Sequence, residues 1–167
     1  MVGAAGSKAT GGGWTTVNGV GRVNFAFLVD QVPGTGTSPS NPAQYKGQFV
    51  LVKPNGWRFK GIFGNATGGT YVVTTTRTGK SGSGTGTGTA YVWDAGSATF
   101  VPAINGGNVS FSIGFADNGS GGKKQTTPDQ IANHDNYDPA ANGYDTIFNP
   151  FPNFTIQAIK GGNITIS

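Results

Sequence analysis

The chain has 167 residues, a formal charge of +4 and only 11% charged residues, with no cysteine. That length implies one domain, large enough for a good single core. Without cysteine it can have no disulfide framework, thiolate zinc site or cysteine nucleophile. All seven acids are Asp, and a chain that avoids Glu while using Gly, Thr, Asn and Val is not building helices.

In chain order, residues 1–13 are small and Gly-rich and read as a flexible lead-in to a single β-domain over 14–167. "GRVNFAFLVD" alternates at Val23, Phe25, Phe27 and Val29, a strand signature. "QVPGTGTSPSNPAQ" is a loop by its Pro, Gly and Ser content. "QFVLVKPNGWRFKG" predicts a hairpin with arms Phe49–Lys53 and Trp57–Lys60. There Pro54 presets the turn and Gly56 supplies φ > 0. "TYVVTTTRT" is a β-branched strand. "GKSGSGTGTGT", residues 79–89, is of low complexity and reads as either a loop or a thin strand leading into "AYVWD". "ATFVP" is a short strand.

Val109, Phe111, Ile113 and Phe115 alternate with Ser110, Ser112, Gly114 and Ala116, a half-buried strand. It runs into Asp117–Gly122, read as a turn whose Asp caps the strand end. A long polar segment, 117–146, follows. In "FTIQAIKGGNITIS", Gly161-Gly162 predicts a tight turn setting Ile159 opposite Ile164. About nine short strands, with turn signals every 8–12 residues and no fixed-period repeat, predict an antiparallel β-sandwich or open barrel.

An ordered set of motifs adds to this: "GGGW", "GVGRVNFAF", "INGGNVSFSIGFADNGSGG", "YDTIF" and the terminal "GGNITI". Over roughly residues 11–167 the chain resembles the post-COAP-1 type of domain, a small all-β module of secreted and cell-surface proteins in bacteria and archaea. The resemblance implies an extracellular β-sandwich forming part of a larger surface protein, with no known catalysis. The chain departs from that pattern in 123–144, which is longer, and in the repetitive "TGKSGSGTGTGT".

The chemistry-bearing candidates are few. Gly79-Lys80-Ser81 matches the end of a phosphate-binding loop, but position 74, where its first glycine belongs, is Thr74, and no helix is expected after it. The lone histidine, His134 in "NHDNYD", has Asp135 beside it but no Gly-x-Ser-x-Gly elbow to supply a nucleophile. No pair of acids stands out as a glycosidase couple. Asp117, Asp129, Asp135, Asp138 and Asp145 all fall within 117–145. Calcium takes several carboxylate and carbonyl oxygens from a bending loop, so this cluster is the candidate calcium site, Asp135 and Asp138 foremost. The competing reading is that Asp and Asn cap their own turns. Trp14, Trp57 and Trp93 are candidate sugar platforms if exposed, against the usual role of a strand tryptophan in core packing.

Lys123-Lys124 is the only basic pair, so no nucleic-acid partner is expected. No apolar run approaches the ~20 residues of a membrane span. The first 13 residues lack the apolar stretch of a signal peptide, which reads either as a mature or trimmed fragment behind an added Met1 or as a protein not exported by that route. Five Asn-x-Ser/Thr sequons, at Asn65, Asn108, Asn118, Asn153 and Asn163, are compatible with export. The expected function is a non-catalytic extracellular module for adhesion or for surface or filament structure, with neighbouring modules or copies of itself as partners. The alternatives are a carbohydrate-binding module with a glycan partner and a virion decoration or fibre domain. No cofactor is expected beyond possible calcium. Low-charge strands such as "TYVVTTT", "NVSFSIGFA" and "NFTIQAI" are candidate edges for self-association, with Val2–Thr10 as the donated strand.

Overall fold

A computed structural model of the chain describes residues 8–64, 69–75, 79–119, 128–138, 140–142 and 153–167. The fold is all-β and antiparallel. Its strands are β1 Lys8–Val17, β2 Gly21–Gln31, β3 Tyr45–Lys53, β4 Trp57–Gly64, β5 Tyr71–Thr75, β6 Lys80–Asp94, β7 Thr99–Pro102, β8 Val109–Asp117, β9 Gln130–Asp135, β10 Phe154–Ala158 and β11 Gly161–Ile166. Nine of them run in one sheet in the order β10-β9-β8-β6-β4-β3-β2-β1-β11, and β5 and β7 pair only with β6 on this path.

The repetitive segment is the spine of this sheet. β6 spans 15 residues and is flanked on both sides by strands broken into two pieces. On one side β4 pairs with Val92 down to Gly86, and β5 continues from Gly84 to Lys80. On the other side β7 pairs with Asp94 to Tyr91, and β8 continues from Gly88 to Lys80. Alternation puts Gly82, Gly84, Gly86 and Gly88 on the inner face, and rings from the flanking strands fill the space left by their missing side chains. A Cβ on Gly82 would lie 2.5 Å from the Phe115 ring, and one on Gly88 would lie 2.6 Å from Phe59. Gly61 on β4 gives the same room to Phe111, again at 2.5 Å.

The sheet curls until its two halves face each other. Phe27 on β2 stacks on Phe115 of β8 with ring centroids 4.5 Å apart, and Phe49 on β3 reaches Phe111 of β8 at 5.7 Å. Three strands separate the first pair in the sheet and two the second, so the rings meet only across an enclosed interior. Trp57, Tyr45, Phe63 and Ile131 complete a core shielded from water.

The end strands of the path, β10 and β11, are joined by Ile159-Lys160 alone. The expected Gly161-Gly162 hairpin is therefore corrected. Ile159 is not set opposite Ile164; its amide donates to the Asp129 carbonyl at 3.0 Å. β11 pairs instead with β1 at the far end of the sheet. The reason is steric: a Cβ at Gly161 would collide with the Trp14 indole, and one at Gly162 with the Gly12 carbonyl, so only glycine lets β11 lie there. Thr15 fastens the same junction, donating from Oγ1 to the Ala158 carbonyl at 2.9 Å and accepting from Gln157 Nε2 at 2.7 Å.

Three further expectations shift. Residues 8–13 are not lead-in but the start of β1, held between β2 and β11, so the boundary drawn at 14 falls inside a strand and Lys8–Thr10 is no free donor. "NVSFSIGFA" is no edge, because β8 is interior, between β6 and β9. In the β3–β4 turn the positive φ sits at Asn55 (55°), which tolerates that region better than most residues do, while Gly56 donates its amide to Lys53 at 3.0 Å.

The glycine requirement is testable. Gly82→Ala and Gly61→Ala force phenyl rings out of their seats and are expected to destabilise by about 1–3 kcal/mol, as overpacking does. Gly114→Ala, whose Cβ would meet only Ala132 at 3.7 Å, is expected to be neutral or to stabilise by up to ~1 kcal/mol. Urea unfolding of the three variants measures the contrast, and equal midpoints would remove the role given to the inner glycines.

Candidate functional site

Two places on this frame carry chemistry. The first lies where the two ends of the sheet meet. On β11 the amides of Ile164 and Ile166 point away from β1, because the residues they face there, Gly11 and Ala9, are in non-hydrogen-bonded register. They would be open edge donors. Instead Ile164 donates to Asp129 Oδ2 at 2.8 Å, and Ile166 donates to Asp117 Oδ2 at 2.9 Å. The other oxygen of each carboxylate is also used: Asp129 Oδ1 accepts from the Asn118 amide at 2.9 Å, and Asp117 Oδ1 accepts from Gly119 at 3.0 Å. The turn role expected for Asp117 is thus present, together with a second role that joins β8 to β11.

The remaining members of the calcium candidate set lie elsewhere. Asp135, at the inward-facing end of β9, is 2% exposed; its Oδ1 accepts from the Tyr137 amide at 3.1 Å and its Oδ2 from Asn133 Nδ2 at 3.3 Å. Asp138 is exposed and accepts from the Ala141 amide at 3.2 Å at the start of a short 3-10 turn, Ala140–Asn142. Asp145 lies outside the described residues. The structure therefore brings Asp117 and Asp129 together on β11 and leaves Asp135 and Asp138 in separate settings. Among the described residues no group of three or more His or acidic side chains gathers as metal ligands. His134 sits in β9 rather than in a loop, exposed on the outer face.

The second place is the outer face of the sheet. Alternation turns Leu28, Gln48, Ile62 and Thr87 outward in one row across β2, β3, β4 and β6, following the pairings Leu28↔Gln48, Gln48↔Ile62 and Ile62↔Thr87. Leu28 is 43% exposed and Ile62 52%. They floor an open groove of about 900 Å³ whose walls include Asp30, Lys46, Lys60, Thr89, Tyr91 and Asn108. At its Tyr91 end the Arg58 guanidinium lies 4.5 Å from the Tyr91 ring centre and 5.2 Å from that of Phe100. Trp93 packs edge-on against Phe100 at 5.1 Å.

The three tryptophans separate accordingly. Trp57 is 1% exposed in the core and has no face for a sugar ring, so it does not meet the exposure condition attached to it. Trp14 is half-buried on the outer face under the Arg22 guanidinium, 4.4 Å from its ring centre. Trp93 is half-buried near the groove without lining it. The sequence alone does not single out the groove residues. The available signal was Leu28 and Ile62, two large apolar residues at positions where alternation calls for polar ones.

The acids make two predictions. In Asp129→Asn one side-chain oxygen becomes an NH₂ facing a backbone donor, and a buried donor left unsatisfied costs about 1–3 kcal/mol. Urea unfolding should show that loss, and hydrogen exchange should speed up at Ile164. An unchanged midpoint would mean that the carboxylate does not hold β11. Burial pushes the Asp135 carboxyl up to about 6, against the opposing pull of the Tyr137 and Asn133 bonds and of His134. A folded-state pKa above the unfolded value of 3.8 means that protonation favours the native state. That contribution is full below pH ~4 and is lost as pH rises through ~6. Lowering the pH from 7.5 to 5 is expected to add about 1.4 kcal/mol from this group, and Asp135→Asn, which keeps an acceptor for Tyr137, should flatten the slope between those two values in the same unfolding assay.

Comparison of the chain with family models, with curated proteins and with solved structures gives no match.

Proposed function

We propose that the chain is a non-catalytic extracellular module that works by adhesion, with the outer-face groove of β2, β3, β4 and β6 as its contact surface. The observation that carries this reading is the exposed apolar floor, Leu28 and Ile62, held on four paired strands. Leu28 and Ile62 flank Gln48 on the intervening strand, and large apolar side chains exposed on the floor of a groove mark a place where something else binds. A rigid sheet serves such a surface well, because its contact groups need little ordering on binding. The resemblance to the post-COAP-1 type of domain is in keeping with this reading.

Adhesion is favoured over an in-line filament role by the pairing of β1 with β11. Lys8 and Ser167 pair with each other, Ser167 donating to the Lys8 carbonyl at 2.8 Å. Tension between these two ends would break the β1–β11 bonds one after another. A carbohydrate-binding role is the second reading, supported by Tyr91 at the groove wall and by the hydroxyl and amide groups beside it.

Beads coated with the protein and passed over polysaccharide, cell-wall and protein-coated surfaces test this. Retention on at least one surface is expected, and Ile62→Asp, an exposed change that should leave the melting temperature unaltered, is expected to abolish it. Retention unaffected by Ile62→Asp, or multiple turnover of glycosides, esters or phosphates by the purified protein, would overturn the reading.

A further inference from the structure

Resting on the adhesion reading, we infer that the groove takes an acidic polysaccharide, a polymer of sugar rings bearing carboxylates. Charge complementarity is the first argument. The outward positions of β2, β3 and β4 carry Arg22, Lys46, Arg58 and Lys60 against the single acid Asp30, which lines the groove opposite Lys46 and accepts the Gln31 amide with one oxygen. The acids Asp117, Asp129 and Asp135 are drawn to the β8–β9 side and accept main-chain amides there. The small net charge of the chain thus hides a basic face, and that face contains the groove.

The spacing of the two groove lysines points to a polymer. Lys60 precedes Ile62 on β4, and Lys46 pairs with Gly64 beyond it, so the two cations flank the apolar floor. Positions 60 and 64 are four residues apart, about 14 Å along a strand. Two cations so placed reach different units of a chain rather than one small anion. Between them lie Ile62 and Leu28, with Tyr91 at one wall, to meet the apolar faces of sugar rings. Gln48, Thr87, Thr89 and Asn108 lie within reach of their hydroxyls. A single-stranded nucleic acid calls for several stacking aromatics along a dense cationic track; the groove has one aromatic ring and two lysines.

Isothermal titration and affinity electrophoresis with polygalacturonate, alginate, dextran, polyglutamate and single-stranded DNA decide the matter. The two polyuronates are expected to bind, dextran at least tenfold more weakly. The double variant Lys46→Ala/Lys60→Ala should lose tenfold or more for the polyuronates with an unchanged melting temperature. Tyr91→Phe should retain binding and Tyr91→Ala should lose it. Binding should also weaken as salt rises, since exposed charges are screened. Dextran binding equal to polyuronate binding and indifferent to the lysines would overturn the acidic class while leaving adhesion through Ile62 standing. Polyglutamate or DNA binding as tight as polyuronate binding would show that charge alone is read, and would equally overturn the proposal. Polyuronate binding undisturbed by both the lysine pair and Ile62→Asp would place the site elsewhere. If bead retention on a surface remains Ile62-dependent while no polyuronate binds, the ligand class fails and the adhesion reading survives.

Discussion

The missing side chains along the inner face of β6 govern how this domain is built. A strand at the centre of a sheet normally contributes its own inward residues to the core. β6 contributes Gly82, Gly84, Gly86 and Gly88, and the core volume there is filled by Phe59, Phe63, Phe111 and Phe115 from its neighbours. Glycine in a strand costs backbone entropy and gives up its own packing. The cost is offset because Phe111 and Phe115 lie over the spine and still reach rings from the far side of the curl, Phe49 and Phe27. The outward residues of the same strand, Ser81, Ser83, Thr85, Thr87 and Thr89, restore β propensity through their threonines and supply part of the polar lining of the groove. Core and candidate contact surface are two faces of one low-complexity run.

A sheet that curls this far brings its two ends close without closing a continuous ladder. Two aspartates bridge the gap. Asp117 and Asp129 accept the amides that β11 turns toward β8 and β9, and each also holds the backbone of the β8 turn. Edge strands with open donors invite pairing with other chains, and a carboxylate is a strong acceptor for an edge amide. Two acids are thus taken up at the seam, while Arg22, Lys46, Arg58 and Lys60 project from the outer face of β2, β3 and β4. Among the described residues, β10 pairs only with β9 and β5 and β7 only with β6, which leaves these three short strands as edges.

The fold class and most strands are legible along the chain alone, because Val23–Val29 and Val109–Phe115 alternate with period 2 and the Pro54–Gly56 turn is punctuated by residues of known backbone preference. β9 was not legible. Its inward residues are Ile131, Asn133 and Asp135, and two polar groups facing a core erase the alternation that would have marked it. Nor were the partners of the first and last strands, since β1 pairs with β11 across more than 140 residues and no local signal encodes that distance. The roles of the aspartates emerge only once the strands are packed together. Five of them cluster between 117 and 145 in the sequence, which suggests a shared ligand. In space Asp117 and Asp129 meet on β11, while Asp135 and Asp138 face different surroundings, because an antiparallel strand carries neighbours in sequence away from each other at about 3.4 Å per residue. The groove is tertiary in the same sense: Leu28, Lys46, Ile62 and Tyr91 come from four strands, and only their pairing places them side by side.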